Sequence, residues 1–125
     1  MTWKPITEEA VWDKLNAAQR RMSVRQAKLW HIIQIQPNKW ASESGSTSGA
    51  SFWAVGLIGR TVIWFNDIED GFNRSSYDQY GIIKEYWCNQ DELEHAIQKL
   101  LDAIDTGYEV GGFCGAPKPG TFESY

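Results

Sequence analysis

Two apolar runs, Phe52 to Ile58 and Thr61 to Asn66, flank the dipeptide Gly59-Arg60, and this hairpin constrains the chain more than any other feature. Glycine at the first position of a two-residue loop fits a type II′ turn, whose twist matches that of paired antiparallel strands. In the resulting register Trp53, Val55, Leu57, Val62 and Trp64 share one face. Phe52, Ala54, Gly56, Ile58, Ile63 and Phe65 share the other. Side chains alternate across a strand, so a hairpin apolar on both faces needs cover on both. It is therefore expected at the centre of a sheet.

The flanking segments supply candidates for that cover. Val11, Leu15, Ala18 and Met22 recur at helical spacing, and Thr7 is placed to cap a helix over residues 7–22, with Glu8 and Glu9 in its first turn. Ser23 followed by Gln26 forms a capping-box pattern and predicts a short helical turn. Trp30 to Gln36 alternates like a strand that Pro37 would stop. Residues 42–51, SESGSTSGAS, read as a Ser/Gly loop. Gly81 to Trp87 offers a further strand, after a polar, turn-rich stretch over 67–80. Asn89 then caps a helix from Gln90 to Ile104, with Glu92 at the capping-box position and a stripe of Leu93, Ala96, Ile97, Leu100, Leu101 and Ile104. Tyr108, Val110 and Phe113 suggest an edge strand in the tail. The expected fold is a single α+β domain over residues 1–125. Its antiparallel sheet has about four strands around the central hairpin, packed by an N-terminal and a C-terminal helix.

Charge is segregated along the chain. Residues 1–60 hold eight Lys/Arg and four Asp/Glu, while residues 61–110 hold three Lys/Arg and eleven Asp/Glu. A field of one sign steers partners of the other, so an acidic second half argues for a basic protein partner and against nucleic-acid phosphates. No apolar run approaches the length of a membrane span. The opening residues, MTWKPITEEA, do not read as a basic-then-apolar leader. Cys88 and Cys114 stand outside any CxxC spacing, and two unpaired-looking cysteines suggest a reducing cytoplasm.

The sharpest local feature is the acidic turn Asp67, Glu69 and Asp70, which Asp78 and Glu85 extend and Tyr77, Tyr80, Tyr86 and Trp87 follow. Carboxylates at a strand end can be a solvated turn, meet a basic partner, hold a metal or serve as acid and base. An EF-hand is excluded because Phe72 stands where the loop requires glycine. Gly45-Ser46-Thr47-Ser48-Gly49 is no nucleophile elbow, since threonine is central and no helix follows. His31 and His95 lack zinc-ligand spacing, and both nucleotide-binding glycine fingerprints are missing. A Cys–His nucleophile pair between Cys88 or Cys114 and a histidine is formally open, beside the reading of both as ordinary structural cysteines. No cofactor or metal is expected. Trp53 and Trp64 read as core, whereas Trp12 beside the first helix stripe and Trp40 in a loop are candidates for exposed anchors.

The stretch from Phe52 to Leu101, with FWAVGLIG, WFNDIEDGFN and EYWCNQDELEHAIQKLL, resembles small bacterial immunity proteins that neutralise polymorphic or contact-dependent toxins. The resemblance implies an inhibitory protein–protein contact in the cytoplasm, made through acidic residues against a basic toxin. On the charge argument the partner-binding residues are Asp67, Glu69, Asp70, Asp78 and Glu85 with Tyr77 and Tyr80. The other readings are a small enzyme or ligand-binding domain with an aromatic pocket between sheet and helix, and a homo-oligomer closed by exposed tryptophans.

Overall fold

The computed structural model describes residues 4–43 and 49–107. Two helices open the fold: α1 (Glu8–Arg21) and α2 (Val24–Ile33). Thr7 caps α1 by accepting from the Ala10 amide, and its acidic first turn and basic last turn both suit the helix dipole. Only Met22 and Ser23 separate the helices. Ser23 and Gln26 form the predicted capping box, with both reciprocal bonds present.

The box opens more than a turn. α2 runs to Ile33 and buries Trp30 and Ile33, which corrects the predicted strand over Trp30 to Gln36. The alternation at Trp30, Ile32, Ile33 and Ile35 obscured a helical spacing of Leu29, Trp30 and Ile33. Strand β1 (Gln34–Ser42) starts where that strand was expected to end and continues through Pro37. Pairing jumps there, from Gln34 opposite Gly56 to Asn38 opposite Ala54. An irregularity of this kind accommodates a residue without an N–H. Trp40 consequently lies in a strand and is wholly buried, not an exposed loop anchor.

The hairpin forms as predicted, from β2 (Ser51–Ile58) and β3 (Thr61–Asn66), with Gly59 at φ +56°. Strands β4 (Gly71–Ser76) and β5 (Ile82–Ile83) complete a five-stranded sheet in the order β4-β3-β2-β1-β5. Every pairing is antiparallel except the parallel contact of β1 with β5, so the sheet is mixed. β2 is its middle strand. The predicted strand over Gly81 to Trp87 contracts to two residues. β4 was hidden because Gly71-Phe72-Asn73-Arg74-Ser75-Ser76 reads as a polar loop.

One residue changes the predicted faces. Ile58 opposes Thr61, Leu57 opposes Val62 and Gly56 opposes Ile63, but Ala54 then opposes Trp64 and Trp53 opposes Phe65. Val55 is the extra residue of a β-bulge. A slip of one inverts every side chain beyond it. Trp53 and Trp64 therefore lie on opposite faces, correcting their expected common one.

Both faces are covered. One packs against the helices through Val55, Ile63, Phe65 and Phe72, which meet Val11, Leu15, Trp30, Leu93 and Ile97. Gly56 lets the Trp30 ring lie close on β2, where an added Cβ would come within 3.1 Å of it. Helix α3 (Leu93–Thr106) begins at N-cap Glu92, three residues later than predicted, and leaves Ile104 exposed beyond its stripe. The delay arises because Asp91 is still bridged to Phe72 of β4, and the Asn89 amide donates to the Asn73 side chain.

The opposite face lines the inside of a sheet curled into a half-barrel. Trp40, Phe52, Ala54, Val62, Trp64 and Ile83 fill it, with Tyr77 and Tyr86 packed alongside. The Lys84 amide donates to the Ser76 carbonyl, linking the chain beyond β5 to the far edge strand. The tail residues Tyr108, Val110 and Phe113 lie outside the described residues.

Candidate functional site

Tight turn chemistry sets the acidic loop between β3 and β4. Asn66 is fully buried, and its side-chain oxygen accepts from the Ile68 and Glu69 amides at 3.0 and 3.1 Å. Its Nδ2 donates to the Trp87 carbonyl at 2.9 Å, fixing the side chain from the other end. Asp70 closes the turn at φ +56°, a left-handed conformation that Asp tolerates better than most residues. The turn is thus anchored by a buried polar side chain rather than left to solvent.

The carboxylates on it differ. Asp67 Oδ2 accepts from the Ile6 amide at 2.7 Å, while its Oδ1 is buried without a hydrogen-bond partner among the described residues. Asp70 is exposed and 3.2 Å from Lys14. Glu69 is half-buried and makes no ion pair among the described residues. The Ile6 bond also brings the acidic start of α1, Glu8 and Glu9, next to the turn.

Asp78 and Glu85 are elsewhere. They adjoin the far end of β4, and a six-residue strand separates the two groups by about 20 Å. Asp78 lies 3.0 Å from Lys84 and 3.8 Å from Arg60, and its hydrogen bond to Lys84 raises that lysine's pKa. Glu85 accepts from the amide and the hydroxyl of Ser76. Tyr77 donates to the Gly59 carbonyl and meets Trp40 edge-on, and Tyr80 packs on Trp40 with ring centroids 4.9 Å apart. The seven expected contact residues therefore fall into two groups at opposite ends of one strand.

Much of the segregated charge is used inside the molecule. Arg21 on α1 binds Glu94 at 2.6 Å and Glu92 at 3.1 Å, and Arg25 on α2 binds Asp105 at 2.5 Å. These pairs tie the basic first half to α3. Burial pushes the Glu94 carboxyl up, but hydrogen bonds from Arg21 and the backbone, with the Arg21 charge, bring it below its ordinary value. The hydrogen bond from Arg25 lowers the Asp105 pKa.

On the curled face the aromatic side chains pack ring on ring. Phe52 and Trp64 lie 4.9 Å apart, and Trp64 and Tyr86 5.9 Å apart. Among the described residues no group of three His, Cys, Asp or Glu side chains could hold a metal ion, and no helix is long and apolar enough to cross a membrane. Cys88 is disulfide-bonded, which corrects its reading as an unpaired cysteine and removes it as a nucleophile; Cys114 lies outside the described residues. Comparison with protein-family models, curated proteins and solved structures finds no match to this chain.

Sequence reasoning missed Asn66, which had appeared only as the end of a strand. Its position before the acidic turn Asp67–Asp70 was the available signal, since Asn accepts from amides two and three residues on.

Proposed function

We propose that this protein is a protein-binding module of the immunity-inhibitor kind, docking a basic partner on the β3–β4 turn. The observation that carries the reading is the anchoring of that turn by Asn66, which presents Glu69 and Asp70 at one end of the molecule in a fixed geometry. A preordered loop loses less entropy on association, and its charge speeds encounter with an opposite surface. Asp67, Glu69 and Asp70 carry the contact. Asp78, Glu85, Tyr77 and Tyr80 chiefly fasten the β4–β5 corner in this reading.

The cytoplasmic location expected from the sequence rested partly on unpaired cysteines. A disulfide at Cys88 fits an oxidising compartment better, so the proposal is made without that location. Alkylation of thiols at lysis, followed by mass spectrometry, reports the state of Cys88 in the cell.

The test is capture of a basic partner, beginning with the product of the neighbouring gene, followed by association kinetics over a salt series. The triple change Asp67→Asn, Glu69→Gln and Asp70→Asn is expected to slow association about tenfold or more and to flatten its salt dependence. Association rates that match the unmodified protein at every salt concentration reject this docking site.

A further inference from the structure

The outward face of α2 is apolar and open. Val24 and Ile32 are 74% and 81% exposed, and with Ala27, Lys28 and His31 they line a shallow groove of about 590 Å³. Residues 24, 27, 28 and 31 stand at i, i+3, i+4 and i+7, the diamond on a helix surface that accepts one side chain from a packing partner. Ala27 is the smallest of the four and keeps the centre of the diamond low.

The charge around the groove narrows what can fill it. α2 carries Arg25, Lys28 and His31 and no acidic residue. Arg25 is engaged by Asp105, whereas Lys28 makes no ion pair among the described residues. The complementary group is an aliphatic side chain set beside carboxylates. This chain displays one: Ile68, 41% exposed, stands between Asp67 and Glu69-Asp70 on the anchored turn.

We propose that the α2 groove of one copy receives Ile68 of a second copy, with Glu69 and Asp70 facing Lys28 and His31. The proposal rests on reading the β3–β4 turn as a docking element, and adds to it the surface that this turn meets on another copy. Groove and knob are different surfaces, so the contact is heterologous and a pair still has one groove and one knob free, on different copies. Assembly therefore extends head to tail and grows with concentration. Copies on the turn would also compete with the basic partner for it.

Sedimentation velocity of the full chain, across a concentration series at low and high salt, tests this. The average mass is expected to rise with concentration and to fall back toward one chain at high salt. Val24→Asp and Ile68→Asp, both at exposed positions, are each expected to abolish association while thermal unfolding stays unchanged. Their equimolar mixture should give dimers and nothing larger, because each variant retains one working surface. A native chain that stays a single copy throughout, or variants that associate as it does, overturns the proposal. Val24→Asp also separates the two readings, since partner capture by this variant reports on the turn and its mass reports on the groove.

Discussion

Glu94 and Gly71 show how single residues are held in place by distant ones. Glu94 is buried on α3 and bound by Arg21, 73 positions earlier in the chain. Its folded pKa lies below the ordinary 4.5. A depressed carboxyl contributes stability above its unfolded pKa and loses it as pH falls through the folded one. Native protein is therefore expected to lose more stability between pH 7 and pH 3 than Glu94→Gln, measured by urea unfolding at each pH. A variant with the same pH dependence would contradict the assignment. Gly71 is constrained by space rather than by φ. A Cβ there would overlap the Asn89 carbonyl oxygen and the Gln90 Cα, which are backbone atoms that cannot swing aside. Gly71→Ala is expected to cost about 3 kcal/mol, read from the denaturation midpoint.

Helices and strands differ in how locally they are specified. The Ser23–Gln26 box satisfies two amides at the start of α2, so Ser23→Ala is expected to cost about 1 kcal/mol. Glu92 occupies the same position on α3 but makes no capping bond, only an exposed pair with Arg21. Glu92→Ala should cost no more than about 0.5 kcal/mol in the same unfolding assay. Strand β4 has no such local code. Its polar side chains are buried because the returning chain satisfies them: Asn73 bonds the backbone of Asn89 in both directions, and Ser75 links Trp64 to the Glu85 carbonyl. Buried polar groups are stable only when paired, and here the partners are contributed ten to sixteen residues later.

For the molecule as a whole, stability is divided between two cores on either side of one sheet. Trp40 belongs to the inner one and is fully buried, whereas Trp12 is 36% exposed. Trp40→Ala is expected to cost about 4 kcal/mol and to change the near-ultraviolet circular dichroism of the aromatic cluster. Trp12→Ala should shift stability by about 0.5 kcal/mol or less. Equal costs for the two would mean that the curled face is not a separate core. The same scale governs charge: Arg21 of α1 and Arg25 of α2 are drawn onto α3, Lys14 of α1 reaches Asp70, and the β3–β4 turn carries the proposed function.

By itself the sequence determined the capped first helix, the Gly59 hairpin, its two apolar faces and most of the α3 stripe. Each depends on residues within a few positions of one another, where turn geometry and helical spacing leave little choice. Only the tertiary structure decided the bulge at Val55, the run of β1 through Pro37, the existence of β4 and the burial of Trp40. It also decided that Asp67, Glu69 and Asp70 stand apart from Asp78 and Glu85. These outcomes turn on partners far away in the chain: a one-residue slip between paired strands inverts a face, and a polar segment can be buried once another backbone arrives to bond it.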